Sequence, residues 1–329
     1  MSKQKRIAIL TSGGDAPGMN AAIRAVTLKA LSFDHHVFGY YGGYNGLIGE
    51  HFTELGAAHV ADIIHRGGTI LKSARCKDMH TNAGILQAVN SLRKNHIDAL
   101  IVIGGDGSFK GAQELAQHWS GQIIGIPGTI DNDINGTDAT IGFYTAIDTA
   151  LDCIDKIRDT AQAFERTFVV EVMGRDCGII AMESGLASGA EQIICKELID
   201  DESSFVQDLK EKVADSLKND AAHSYVIVMA EHSLSISAQE LAQQLSNFTG
   251  IDSRSAILGY VQRGGAPVAG DRILATQLGV ASIAHLEAGD NGVMVGIEDN
   301  KVTLTPLKET SDTHQRNRSF VARLKEYRL

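Results

Sequence analysis

The chain is poor in several things that would each have steered the reading elsewhere. Tryptophan occurs once, aromatic residues make up only 5% of 329 positions and proline occurs four times, a mix that, with abundant glycine, suits a sheet-and-helix enzyme with many tight strand-to-helix turns. Four cysteines (Cys76, Cys153, Cys177 and Cys195) include no C-x-x-C pair. That favours buried or indifferent thiols kept reduced in the cytosol. The 12 histidines show no H-E-x-x-H or similar ligand spacing, and no G-x-S-x-G elbow is present. No apolar run approaches the ~20 residues of a membrane span. The chain enters an apolar strand directly after MSKQK, without a signal-peptide pattern. Positive charge is also in deficit: the net charge of −10 disfavours nucleic acid and anionic membranes, both polyanionic. The expectation is a soluble cytoplasmic protein in which any anionic substrate must be met by locally clustered arginines.

What the chain has in quantity is glycine, 34 residues, and a hydrophobic content of 43%, ample for a core. Continuous apolar runs at Arg6–Leu10, Val37–Tyr40, Ala99–Ile103, Gln122–Ile126, Thr167–Met173 and Tyr225–Ala230 predict strands covered on both faces. Segments of helical period, such as Gly18–Leu31, Ala83–Lys94, Gly142–Gln162, Glu202–Lys218 and Gln239–Phe248, lie between them. Alternation of this kind predicts βαβ units and an α/β, doubly wound parallel sheet, with no linker or internal repeat to divide the chain.

Ligands of such sheets sit beyond the carboxyl ends of the strands. The segments there are TSGGD (Thr11–Asp15), GGDGS (Gly104–Ser108), PGTIDND (Pro127–Asp133), MGR (Met173–Arg175) and the pair Glu231–His232. The first would bring backbone N–H groups to a phosphate, with Asp15 capping the next helix and Pro17 in its first turn. The second leaves room for a nucleotide, with Asp106 free to hold Mg²⁺ through one carboxylate plus phosphate oxygens. In the third, Asp131 is a candidate base for a sugar hydroxyl, Thr129 lies beside it, and Asp133 lies near the metal or steers the base. Each of these segments also suits an ordinary turn, so none carries the chemistry alone. Arg75, Arg166, Arg175, Arg254 and Arg263 all fall in or near predicted loops, and in a net-acidic chain they read as an anion pocket.

Taken in order, TSGGDAPGMNAAIR, RGGTILKSAR, IGGDGS, PGTIDNDI, EVMGR, AEH and LGYVQRGG resemble the 6-phosphofructokinases, in their short bacterial ATP-dependent form, over essentially the whole length. The resemblance implies two Rossmann-like α/β/α domains with mainly parallel sheets and the active site in the cleft between them. The larger, ATP-binding domain would take residues 1–141 and about 262–310, and the smaller, fructose 6-phosphate-binding domain about 142–261 and 311–329. It implies ATP contacts at Gly14, Arg75, Cys76, Gly105, Asp106, Gly107 and Ser108, with Asp106 on Mg²⁺. Asp131 matches the proton acceptor, with Thr129, Arg75 and Arg175 assisting. Ile130, Met173, Gly174, Arg175, Glu231, Tyr260 and Arg263 match sugar-phosphate contacts. Arg166 and Arg254 match residues reaching it from a neighbouring subunit of a homotetramer. Gly107 and Gly128 stand where pyrophosphate-dependent relatives carry Asp and Lys, which favours ATP.

Two departures stand out. Tyr260 replaces a histidine among the substrate contacts, which predicts retained binding with altered pH sensitivity. The effector site for ADP or phosphoenolpyruvate keeps Arg24, Arg158, Gly189 and Glu191. It has Leu28 and Ala57 at two arginine positions, and Asn219–His223, with Asp220 and Ala222, lacks lysine. Weak or absent phosphoenolpyruvate inhibition is expected. The competing readings are a pyrophosphate-dependent enzyme, an NAD or lipid kinase, and a non-catalytic nucleotide-binding regulatory subunit on the same fold.

Overall fold

The computed structural model describes residues 4–218, 224–311 and residue 322. In chain order the strands and helices are β1 (Arg6–Ser12), α1 (Met19–Leu31), β2 (His36–Tyr40), α2 (Tyr44–Ile48), β3 (Phe52–Glu54), α3 (Asn82–Lys94), β4 (Ala99–Gly104), α4 (Asp106–Ala116) and β5 (Gln122–Pro127). They continue with α5 (Phe143–Phe164), β6 (Thr167–Val172), α6 (Ile179–Ser188), β7 (Gln192–Ile194), α7 (Glu202–Lys218), β8 (Tyr225–Ala230), α8 (Ala238–Thr249), β9 (Ser253–Ile257), α9 (Ala269–Ala288), β10 (Val293–Glu298) and β11 (Lys301–Pro306). The chain forms two compact units. The first holds the described residues of Met1–Thr145 and Arg263–Thr313, the second those of Ala146–Gln262 and His314–Leu329.

Unit one is built on a seven-stranded sheet in the order β11-β10-β5-β4-β1-β2-β3. Its five inner strands are parallel, and β3 and β11 close the edges antiparallel. The run ALIVIG of β4 is buried at every residue, as a central parallel strand covered on both faces must be. Chain order reverses on either side of β1, which makes its junction with β4 the switch point where this architecture opens a crevice. One face is closed by α1 against α9. A Cβ on Gly279 would stand 2.6 Å from the Cβ of Ala25, so these backbones meet as closely as they do only because Gly279 has no side chain. On the other face Tyr40, Tyr44, Leu92, Leu100, Phe109 and Leu115 lie in one buried cluster.

Unit two has four parallel strands in the order β7-β8-β6-β9. Its core joins Val169, Ile227 and Met229 of the sheet to Leu209 and Val213 of α7 and Leu241 and Leu245 of α8. Helix α8 is stopped at both ends by local chemistry. Ser237 accepts from the Glu240 N–H at 3.2 Å while the Glu240 carboxylate accepts from the Ser237 N–H at 2.8 Å, and Gly250 ends the helix at φ 74°.

All six expected strands are present. Among the described residues five more occur that apolar runs did not disclose. β3 and β7 have three residues each, β9 is half polar, and β10–β11 are an edge hairpin turned by Asp299 and Asn300 at φ 51° and 61°. The start of α1 also differs from expectation. The helix begins at Met19 with Gly18 as its cap at φ 109°, so Asp15 and Pro17 precede the helix and do not cap it. The physical reason is room: a Cβ on Gly18 would stand 2.7 Å from Ile141, and only glycine takes that left-handed turn there.

Candidate active site

In unit one the strand register sets the geometry. β1 and β4 pair up to Ser12 opposite Gly104, and β4 and β5 pair up to Gly104 opposite Pro127. The TSGGD, GGDGS and PGTIDND segments therefore leave the sheet side by side. Close approach is enforced by glycine: a Cβ on Gly104 would stand 2.6 Å from the Ser12 carbonyl. The Ser108 hydroxyl donates to that carbonyl at 3.0 Å, and Tyr44 donates to the Ser108 carbonyl at 2.7 Å.

The RGGTILKSAR segment is zipped onto the first of these loops. Buried Asn20 donates to the Arg66 and Gly67 carbonyls at 3.0 and 3.2 Å and accepts from the Ile70 N–H at 2.7 Å. Thr11 donates to the Lys72 carbonyl at 2.9 Å, and Ser73 to the Gly13 carbonyl at 2.8 Å. This delivers Arg75, exposed, to the same loops. Arg263 arrives from the QRGG segment. A Cβ on Gly14 would lie 3.0 Å from its Cζ and nearer still to Nη1, so the guanidinium rests on the Gly14 backbone. Cys76, next in the chain to Arg75, is 9% exposed, and its side chain belongs to the apolar cluster of this unit.

Two positions need more than sequence foresaw. Asp106 is not a free turn carboxylate. It opens α4, pairs with Lys110 at 2.6 Å and accepts from the Ser311 hydroxyl, because a helix N-terminus and an (i, i+4) lysine both stabilise a carboxylate there. Asp131 is 5% exposed, and its N–H donates to the Thr129 hydroxyl at 3.2 Å. Its loop is held by Asn132, which takes φ 51° and accepts from the Thr140 N–H at 3.0 Å, while the Thr140 hydroxyl donates to the Thr129 carbonyl at 2.5 Å. Asn132 reads as turn chemistry in sequence, and its structural weight appears only once Thr140 is beside it. Ile130 is buried next to Asp131.

The donor set suits magnesium, which takes one or two carboxylates and completes its shell with phosphate oxygens and water. Asp106 supplies one carboxylate beside the glycine loop. Among the described residues no cluster of three or more His, Cys, Asp or Glu makes a self-sufficient metal cage.

In unit two, β6 lies between β8 and β9, with Val172 opposite Ala230. The MGR turn and Glu231 follow these residues directly. Glu231 Oε1 accepts from the Gly174 N–H at 3.1 Å and the Arg175 N–H at 2.7 Å, and Gln262 accepts from the Met173 N–H at 2.8 Å. Gly174 at φ 151° and Arg175 at φ 59° turn the chain so that Arg175 is exposed. Burial, and secondly the charge of Glu231, push the Glu171 carboxyl up. Arg166 and Arg254 share one carboxylate: their Nε atoms lie 2.8 and 3.1 Å from Asp252. Arg166 also covers the ring of Phe164 at 4.4 Å. Tyr260 is 81% exposed.

Of the effector positions, Arg158 donates to Glu191 at 2.8 Å and to the carbonyls of Ser188 and Gly189 at 3.2 and 3.0 Å, at the end of α6. Arg24 lies on α1 in unit one. Asn219–His223 fall outside the described residues.

The phosphofructokinase family matches residues 6–286. An ATP-dependent 6-phosphofructokinase of Staphylococcus epidermidis is 47% identical over 323 residues, 98% of each chain. One of Staphylococcus aureus is 46% identical over 309 residues, 94% of each. Among solved structures, a phosphofructokinase of Pichia pastoris in the T-state superimposes with a TM-score of 0.88 at 38% identity. The alignment covers 98% of this chain and 37% of the larger Pichia one.

Proposed function

The chain belongs to the phosphofructokinase family, and on that premise we propose that it transfers the γ-phosphoryl group of ATP to the 1-hydroxyl of fructose 6-phosphate. The products are fructose 1,6-bisphosphate and ADP. The observation that carries this reading is the register of Ser12, Gly104 and Pro127, which sets two glycine-rich loops beside the buried Asp131 in one unit. Such loops receive polyphosphate, and a shielded carboxylate beside them has the role of base.

Asp131 takes the proton of the 1-hydroxyl, and the oxygen forms its bond to the γ-phosphorus as the bond to ADP breaks. Thr129 holds the Asp131 backbone. Gly14, Gly105, Gly107 and Ser108 line the phosphates through backbone N–H groups. Arg75 and Arg175 stabilise the charge that develops on the transferring group, and positioning with electrostatics supplies most of the catalysis. Magnesium, held by Asp106 with phosphate oxygens, would supply further neutralisation of that charge. Met173, Gly174, Glu231, Tyr260 and Arg263 bind the sugar phosphate, with Arg166 and Arg254 serving a neighbouring subunit of a cytoplasmic homotetramer. No helix among the described residues is long and apolar enough to cross a membrane.

ATP is the donor because a Cβ on Gly107 meets only open space, which leaves that side of the loop for the nucleotide. Gly128 is confined: a Cβ there would stand 2.9 Å from Ile103 and 3.2 Å from Met19, so a lysine would first have to displace core. Steady-state turnover with ATP·Mg²⁺ or with pyrophosphate tests donor and base together. Turnover is expected with ATP, falling about 10²–10⁴-fold in Asp131→Asn with nucleotide binding retained. Turnover with pyrophosphate alone would refute the assignment.

Phosphoenolpyruvate inhibition is weak or absent. Two arginine positions of the effector site are Leu28 and Ala57, and Arg158 already serves Glu191 and two carbonyls. Fructose 6-phosphate saturation curves measured with and without micromolar phosphoenolpyruvate should superimpose. A strong sigmoidal shift would sink the idea.

A further inference from the structure

The strands of unit one have a second end, and it carries a cavity of its own. A space of about 560 Å³ opens where β1, β2 and β4 begin, walled by Arg6, His36, Arg93, His96, Asp98 and the chain's single tryptophan, Trp119. It is remote from the catalytic loops. The six-residue rise from Arg6 to Ser12 along β1 puts roughly 20 Å between them.

The cations here are held in place by the fold. Arg6 Nε donates to the Asn95 carbonyl at 3.0 Å, and its guanidinium lies 4.2 Å from the centre of the Phe38 ring. Arg93 Nη2 donates to the His118 carbonyl at 2.6 Å. Each guanidinium thus spends one N–H on the backbone and, among the described residues, keeps the rest of its fork for something else. His96 is set at the rim by a left-handed turn at φ 52°, where the N–H groups of His96 and Ile97 close α3 onto the Arg93 and Leu92 carbonyls at 3.1 and 2.9 Å. His36 is oriented by Glu54 at 2.6 Å. The opposing charge is Asp98, whose Oδ2 already accepts from the Arg6 N–H at 2.8 Å.

We infer that this cavity binds a small phosphate monoester dianion, at a site separate from that of phosphoryl transfer. Within the wall itself two anchored guanidinium groups face the single carboxylate of Asp98, the Glu54 carboxylate being engaged by His36, in a chain whose overall charge is −10. That local excess of positive charge has no role in the core. The donors come from four segments, β1, β2, α3 and the turn before β4, and so approach from different directions. Such a set matches a tetrahedral group with three terminal oxygens better than a flat carboxylate. The volume lies within the range of small-molecule sites, and Trp119 gives any organic portion an apolar wall.

Equilibrium dialysis with inorganic phosphate as probe counts the sites, and emission from Trp119 reports the local one, since no other tryptophan contributes. A saturable emission change is expected that chloride at equal ionic strength does not reproduce. Arg93→Gln, an exposed substitution, should weaken that response at least tenfold and remove one site per chain from the dialysis count. It should leave turnover and circular dichroism unchanged. Arg254→Gln should leave the Trp119 response intact. The inference is overturned if chloride reproduces the change, if Arg93→Gln leaves both readouts as they were, or if Arg254→Gln abolishes the emission response.

Discussion

The two units hold their ligand-facing loops by the same device at different depths. In unit one, Asp271 of α9 is fully buried and accepts from the Gly142 N–H at 2.8 Å, the Thr145 N–H at 2.7 Å and the Thr145 hydroxyl at 2.5 Å. This fixes the start of α5 and the far end of the loop that carries Asp131. In unit two, Glu231 is half-buried and accepts from Gly174 and Arg175, within the turn that presents Arg175. A fully buried carboxylate whose oxygens are taken up by three protein donors, as in Asp271, is left to organise structure. One left at the surface can order its loop and also meet a ligand. Depth therefore separates what should be a stability residue from what should be an affinity residue.

The largest effect expected from this contrast is on Asp271. Asp271→Ala strands three donors in a dry environment and should cost about 3–5 kcal/mol of unfolding free energy, read by denaturant titration. A loss near zero would mean that water reaches the site and would remove the contrast. The same residue carries a pH signature. Burial pushes its carboxyl up, against the pull of the Thr145 and Gly142 donors. The folded chain then holds that proton more tightly than the unfolded one. The associated stability is fully present below the ordinary carboxyl range and is lost as pH rises through the folded value. Melting temperatures of the protein and of Asp271→Asn, followed upward from about pH 4, should show a fall in the first that the second lacks.

A smaller effect belongs to Glu231. Glu231→Ala should raise KM for fructose 6-phosphate about tenfold, from about 1–3 kcal/mol of lost loop order and contact, with KM for ATP and the unfolding free energy little changed. An equal rise in both KM values would break the comparison, since the loop would then not act on the sugar side alone.

Much of this was legible in advance. Alternating apolar runs and helical segments disclosed the parallel strands because burial on both faces leaves an unbroken hydrophobic signature. The glycine-rich motifs marked the ends where ligands bind. Strands such as β3, β7 and β9 were invisible because they are short or half polar and depend on a neighbour for pairing. Asp106 reads in sequence as a loop carboxylate able to hold Mg²⁺, but its ion pair with Lys110 and its place at a helix start are not legible there, because sequence does not tell where the helix begins. Asn20, Asn132 and Gln262 looked like ordinary polar residues, since a buried amide differs from a surface one only in its surroundings.

The sequence by itself determined the order of the elements, the chemical types at the strand ends and the family to which they belong. These depend on local periodicity and on motifs a few residues long. Tertiary structure alone decided that Asp271 serves residues 126 and 129 positions away, that Arg263 lies on Gly14, and that Arg6 and Arg93 share a cavity with Trp119. Each is a contact between segments distant in sequence, set by strand register and helix packing, and no local pattern encodes which distant residue will arrive.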